Sequence, residues 1–414
     1  MKRFSSLSKS FLSIIINYYF IRTISALIPL IIIPYAARIL DHPNFSLLMY
    51  TLALGTWTSM LISYGNTLSG IRNIACNYNQ LEKITPIVSE TLTAQIYLII
   101  FSLIILSFFN YIHIIHQKLT LLFLAWIYGI AQGFNPLWIF QGLQKLKPLS
   151  YLEFFSHITI LLLIFFILPI YPKYSVVISI IVLGRLLINF FAYKILLSYH
   201  IQIYWGNWQS ALYRLKHGFG LFFLVASVSL YTTLSTVILG FFSSFAMIGM
   251  FASMEKLVRG LTTLILSTSN AVIPYRYILR DQKNSVNLLN KYTLWISVTI
   301  AIFLATLLYI FAQTAVNYFL GPSYQSAVII LKILTWIIPC YVFSTILSSQ
   351  YLIPAHKDYL CNIIYSSGGI ICIILASLVV PKYGAIGMSA VVLTSELLVL
   401  ILMLLANKIS LSIR

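Results

Sequence analysis

Runs of about twenty apolar residues, separated by short polar stretches, repeat along the whole chain. They lie near 13–34, 45–66, 87–109, 119–141, 149–169, 174–197, 218–241, 246–270, 291–312, 326–351, 359–380 and 385–406. A helix of about 20 residues crosses the hydrocarbon core of a bilayer. The pattern therefore predicts an all-α, polytopic integral membrane protein with twelve transmembrane helices. The first run begins in "MKRFSSLSKSFLSIIINYYF" and continues to Pro34, with no small-x-small cleavage site. It is too long for the apolar region of a signal peptide and reads as the first span.

Composition agrees. The 414 residues are 60% hydrophobic and 8% charged, where a soluble domain averages roughly 45–50% and about 25%. Lys and Arg number 26 against 8 acids, a net charge of +18. These cations are dispersed between apolar runs and form no basic domain, which excludes nucleic acid as a partner. Their distribution gives an orientation instead. Alternate loops on the N-terminal side hold 17 of them, among them Arg72, Lys145, Lys194 and Arg214, and the opposite loops hold 4. The positive-inside rule then places both termini in the cytoplasm. The four cysteines and seven histidines show no metal-ligand spacing, and there is no Gly-Lys dipeptide and hence no P-loop. No metal or cofactor is expected.

Two pairs of segments about 200 residues apart resemble each other: 172–187 with 381–398, and 44–55 with 244–255. They suggest two six-helix bundles, 1–197 and 218–414, joined by a cytoplasmic linker at 198–217. Transporters are often built from such repeats, with the site at the midplane between them.

Charges inside spans are costly, about 2.5–3.5 kcal/mol each on insertion scales, and usually face a cavity or a partner. Five cations lie there: Arg22, Arg185, Lys256, Arg259 and Lys332. The deep acids are Glu255 and Glu396, while Glu153 and Glu90 read as interfacial. Glu255 and Arg259, four apart, share a helical face with Thr262, Ser269 and Asn270. Gly249, Ser253 and Gly260 form another face, suited to close packing. A Glu255–Arg259 pair that neutralises itself is one reading; it leaves Arg22, Arg185 and Lys256 without a nearby acid. The other is a cationic cavity for an anionic cargo. Lys332, closer to a helix end, has the further option of reaching the surface.

Several of these stretches resemble the polysaccharide repeat-unit flippases of O-antigen type, within the multidrug/oligosaccharidyl-lipid/polysaccharide exporter superfamily. The resemblance rests on "LIPLIIIPYAARIL" (27–40), "YGNTLSGIRNIA" (64–75), "PLWIFQGLQKLKPLSYLE" (136–153), "IGMFASMEKLVRGL" (248–261), "LGPSYQSAVIILKIL" (320–334) and "YGAIGMSAVVLTSELL" (383–398), in that order. Leu40-Asp41, Phe45-Ser46 and Gln144 depart from the usual Leu-Gly, Phe-Gly and glutamate. The resemblance implies a transporter of the bacterial inner membrane, not an enzyme. Its cargo would be an undecaprenyl-pyrophosphate-linked oligosaccharide, moved from the cytoplasmic to the periplasmic leaflet by alternating access. It also implies work beside a polysaccharide polymerase and a chain-length regulator. The diphosphate would then meet Arg22, Arg185, Lys256, Arg259 and Lys332, with Glu255 and Glu396 as coupling or ion-pair residues. A drug exporter of the same fold is the nearest rival. A polymerase or glycosyltransferase is the rival of another class, disfavoured by short outer loops whose single acid is Asp41.

Overall fold

The computed structural model describes the backbone of residues 2–77, 80–111, 119–270, 283–354 and 357–412, and their side chains except 2–19, 22, 66–68, 109–111, 268, 270, 283–287, 358 and 408–412. Helices dominate the described residues and no strand occurs among them. In order they are α1 (Lys2–Ile39), α2 (His42–Ser63), α3 (Asn66–Cys76), α4 (Leu81–Tyr111), α5 (Leu119–Gly133), α6 (Leu137–Gly142), α7 (Leu146–Ile167), α8 (Tyr174–Ser198), α9 (Trp208–Tyr231), α10 (Leu234–Phe242), α11 (Phe245–Asn270), α12 (Lys283–Ile310), α13 (Ala312–Phe319), α14 (Ala327–Leu334), α15 (Ile337–Leu347) and α16 (Asp358–Ser412).

Among the described residues, eight helical stretches are long and apolar enough to cross a membrane; α9 with α10, bent by 47°, passes the same test only if the pair is counted as one span. Their outer faces are apolar. Ile100, Phe101, Ile104 and Phe108 on α4 are exposed, as are Phe155, Leu162, Phe165 and Phe166 on α7. In water such faces would demand a partner; on helices of this length the partner is lipid. The chain is a multi-pass membrane protein. α11 is long enough to cross but carries Glu255, Lys256 and Arg259 near its middle.

α16, 55 residues long, is two helices. Gly384 has φ 54 and ψ −133, outside helical space, three residues after Pro381. A Cβ placed on Gly368 would lie 2.5 Å from Val399, although a continuous helix would separate these residues by about 46 Å at 1.5 Å per residue. The chain therefore folds back at 381–384, and its two limbs pack antiparallel.

The chain resolves into two compact units. The first comprises residues 1–24 and 50–226, the second 25–49 and 227–414. This partition differs from a division at the linker, because the later part of α1 and the start of α2 group with the C-terminal half. α1 thus contributes to both units, and its Pro29 and Pro34, each lacking an N–H for the helical ladder, fall in the second unit's share.

In the first unit, α2 and α5 approach closely at Gly129 and Gly133. A Cβ on either would come within 2.8 Å of Thr58 or Ile62, the contact that small-xxx-small spacing provides. The apolar core beneath is built on Trp138, Ile139 and Phe140 of α6, with Ile74, Val88, Leu92 and Ile188. In the second unit, the small face expected on α11 serves for packing. Gly249 meets Ser46, Gly260 meets Leu30, and Ser253 is fully buried.

Candidate functional site

Each unit buries an ionic cluster. In the first, α7 and α8 form a helical hairpin with its turn at 168–173, so residues roughly equidistant from the turn come side by side. Arg185 of α8 donates through Nη1 to Glu153 Oε2 of α7 at 2.6 Å. Its Nη2 lies 3.0 Å from His157 Nε2, while His157 Nδ1 lies 2.6 Å from the Glu153 carbonyl. These contacts fit together only if Nδ1 carries the proton, donating to the carbonyl, and Nε2 accepts from the guanidinium. The imidazole is then neutral. Asn135 Nδ2 donates to the other Glu153 oxygen at 3.4 Å, and Asn135 is itself fixed by the Leu137 N–H. Glu153 and His157 are both buried.

This corrects one expectation: Arg185 has an acid beside it. Glu153, two turns into α7, is buried against α8 although Lys147 and Tyr151 on the same end of the helix are exposed.

In the second unit, Arg259 of α11 donates through Nη1 to Glu396 Oε1 of α16 at 2.9 Å. Glu255 Oε1, one turn back on α11, is 3.7 Å from Arg259 Nε, an ion pair without a hydrogen bond. Glu255 is held instead by α10: Ser235 Oγ stands 3.3 Å from both of its oxygens, and Thr236 Oγ1 donates to Oε2 at 3.2 Å. The Arg259 guanidinium also stacks over the Tyr341 ring, 4.9 Å from its centroid. Among the described residues, Arg259 Nε and Nη2, Glu396 Oε2 and the Tyr231 hydroxyl are buried without a hydrogen-bond partner.

The structure thus brings Glu255, Arg259 and Glu396 together and keeps Arg185 in a cluster of its own. The rest of α11's polar face also turns inward: Thr262 and Ser269 are buried, and Gln350 Nε2 donates to Ser269 at 3.1 Å. Lys256 is half-buried, with no ion pair within 4 Å among the described residues. Lys332 is half-buried with its amine 5.3 Å from the Tyr309 ring centroid. The side chain of Arg22 lies outside the described residues, as do Asn270 and the loop histidines His113 and His116. Sequence reasoning missed Glu153, His157, Asn135, Ser235 and Thr236 as partners. The hairpin register of α7 and α8 carried a signal for Glu153; nothing in sequence spacing pointed to the hydroxyls of α10.

The family described as polysaccharide biosynthesis protein matches residues 12–277, well over half of the chain. The chain belongs to this family. A protein of Escherichia coli (strain K12) named as an O-antigen transporter is 25% identical over 391 residues, 91% of this chain and 92% of that one. One from Shigella dysenteriae, named likewise, is 26% identical over 92% of this chain and 96% of its own length. Among solved structures, the lipid II flippase MurJ in an inward closed conformation matches with a TM-score of 0.73 at 16% identity, covering 96% of this chain and 87% of that one. An inward-facing multidrug resistance MATE family transporter of the MOP superfamily matches at 0.64 and 15% identity, over 96% and 94%. At these identities the likeness establishes the fold. This member of the polysaccharide biosynthesis family has the architecture of MOP-superfamily transporters, and its two ionic clusters are built into that architecture.

Proposed function

We propose that the chain flips an undecaprenyl-pyrophosphate-linked oligosaccharide, the repeat unit of an O-antigen-type polysaccharide, from the cytoplasmic to the periplasmic leaflet by alternating access. It is a transporter, not an enzyme. The observation that carries this reading is the match to named O-antigen transporters over nine-tenths of the chain, with lipid-linked cargo favoured by the likeness in fold to a lipid II flippase.

The reading includes twelve crossings with both termini cytoplasmic. Beyond the eight apolar stretches, the candidates for the remaining crossings are the apolar segment 23–39, the bent pair α9–α10, the charged α11, and the second limb of α16. The cations assigned to the diphosphate are Arg22, Lys256, Arg259, Lys332 and Arg185, the last already engaged by Glu153 and His157. Arg259 supports its place best, because two of its N–H-bearing nitrogens have no hydrogen-bond partner among the described residues and guanidinium matches phosphate oxygens bidentately. Glu255 and Glu396, which share Arg259, are assigned to coupling: protonating one carboxylate would leave the guanidinium to the other. A polymerase and a chain-length regulator would act on the delivered units.

Leaflet-resolved transport of lipid-linked oligosaccharide in proteoliposomes tests the reading. Losing a charge-assisted contact to the cargo should slow transport by Arg259→Ala at least about tenfold; a wild-type rate would remove the cationic path from the account. Cells lacking the protein should accumulate single lipid-linked units on the inner leaflet. Accumulation of flipped but unpolymerised units would favour the polymerase instead.

A further inference from the structure

Tyr231 closes α9, immediately before the bend into α10. It is fully buried, and its hydroxyl has no hydrogen-bond partner among the described residues. Buried polar groups are paired as a rule, so an orphan in a protein interior calls for a physical reason. Its surroundings supply one. A Cβ on Gly368, in the first limb of α16, would lie 3.8 Å from Tyr231 Cε1, 3.8 Å from the Ser395 carbonyl oxygen and 2.5 Å from Val399 Cγ2. The tyrosine ring therefore meets the second limb of α16 at 395–399. Glu396 and Val399, three apart, share a face of that limb. Among side chains, Glu396 is also the strongest electrostatic neighbour of the Tyr231 hydroxyl, ahead of Tyr365, Tyr341 and Arg259.

Glu396 needs a second donor if Arg259 is to leave it. It is buried, its Oε1 accepts from Arg259, and its Oε2 has no partner among the described residues. Withdrawing the guanidinium alone would strand a carboxylate in the interior, which costs far more than exchanging one donor for another. The same unit shows how a carboxylate is held without a hydrogen bond from the guanidinium: Glu255 takes the hydroxyls of Ser235 and Thr236. The hydroxyls flanking Glu396 are committed elsewhere. Thr394 and Ser395 both donate to the Val391 carbonyl, at 2.8 and 2.9 Å, and Tyr365 bonds to Ser348. The Tyr231 O–H has no such commitment, and an O–H donates to a carboxylate more strongly than to a neutral acceptor.

We propose that Tyr231 is the alternate donor to Glu396: when Arg259 turns away during the transport cycle, the phenol O–H takes its place on the carboxylate. The proposal rests on the transport reading. Tyr231 is then a positioning residue, acting on the cargo through Glu396 and Arg259.

Tyr231→Phe removes only the O–H. In thermal unfolding of the full-length protein in detergent, its midpoint should stay within about 1 °C of the wild type, because the hydroxyl bonds to nothing while Arg259 holds Glu396. In an Arg259→Met background Glu396 has lost the guanidinium. There the same substitution should lower the midpoint by at least about 2 °C, the loss of a charge-assisted hydrogen bond. A tyrosine that merely packs would give the same shift in both backgrounds. In proteoliposomes, Tyr231→Phe should flip lipid-linked oligosaccharide at least about fivefold more slowly than the wild type. Equal shifts in the two backgrounds overturn the proposal, and so does a wild-type transport rate. Should Arg259→Met fail to fold, the transport rate of Tyr231→Phe decides. A wild-type rate in Tyr231→Phe beside a slow Arg259→Ala strikes out the tyrosine alone. Arg259→Ala at the wild-type rate removes the cationic path, and the proposal with it.

Discussion

The two buried clusters use the same ingredients to different ends. In the first unit Arg185 gives one N–H group to Glu153 and another to His157, Glu153 is further tied by Asn135, and among the described residues no side-chain atom of this cluster is buried without a partner. In the second, Arg259 makes one short contact to Glu396, stands 3.7 Å from Glu255, and keeps unused N–H groups. One cluster is closed and the other has capacity to spare. A closed cluster in a membrane interior reads as a structural rivet, because its charges are paired and none of its polar side-chain atoms is buried without a partner. An open one leaves Arg259 free to exchange one carboxylate for another, while its unpaired nitrogens, being buried, would reach a phosphate only after a rearrangement. The first cluster also reduces the cationic surplus inferred from the sequence, since Glu153, buried like Glu255 and Glu396, neutralises Arg185.

The largest effect is expected where the closed cluster is broken. Glu153→Gln leaves Arg185 buried against a neutral imidazole and an amide. Breaking a buried pair by removing one partner costs about 3–5 kcal/mol, and thermal unfolding of the purified protein should show the loss. Glu153→Gln combined with Arg185→Gln should recover most of it, because the unpaired charge is gone. If the double variant also transports normally, the first cluster is a rivet. If it folds but fails to transport, Arg185 belongs to the cargo path and the contrast between the clusters collapses.

A smaller loss is expected from Glu396→Gln. Arg259 keeps Glu255 within 3.7 Å and the Tyr341 ring beneath it, so the cost should be that of a charged hydrogen bond, about 1.5–3 kcal/mol. The same measurement, run beside Glu153→Gln, sharpens the comparison directly. A loss equal to that of Glu153→Gln would mean that Glu255 contributes nothing to holding Arg259.

Much of this was legible in the sequence and some was not. The apolar runs near 45–66, 174–197 and 291–312 follow from the thickness of a bilayer, which needs no tertiary information. The Glu255–Arg259 face of α11 follows from helical period. What periodicity could not supply is which helix stands opposite. Arg259's closest acid is 137 residues away in sequence, and Glu255 takes its hydrogen bonds from α10, whose Ser235 and Thr236 look like ordinary small residues of an apolar helix. The grouping of residues 25–49 with the C-terminal half was hidden for a similar reason. α1 reads as one continuous apolar run, and nothing within it marks the point after Ile24 at which its packing partners change.

The smallest stability effect, and the most informative about function, is expected at Glu255. Its bonds from Ser235 and Thr236 are long, 3.2–3.3 Å, and its ion pair with Arg259 lacks a hydrogen bond. Glu255→Gln preserves the shape, keeps an oxygen for the hydroxyls, and leaves Arg259 its Glu396 partner. The stability loss should therefore be about 1 kcal/mol, near the net worth of an ordinary hydrogen bond. A rivet residue with so small an energetic role would be dispensable, and transport would survive the change. A coupling residue would not be. If Arg259 moves between two carboxylates during the cycle, removing the charge of one fixes it on the other, and leaflet-resolved transport should fall sharply in a protein that unfolds almost like the wild type. A transport rate that tracks stability across Glu255→Gln, Glu396→Gln and Glu153→Gln would instead make both clusters rivets, and the unused N–H groups of Arg259 would need another explanation.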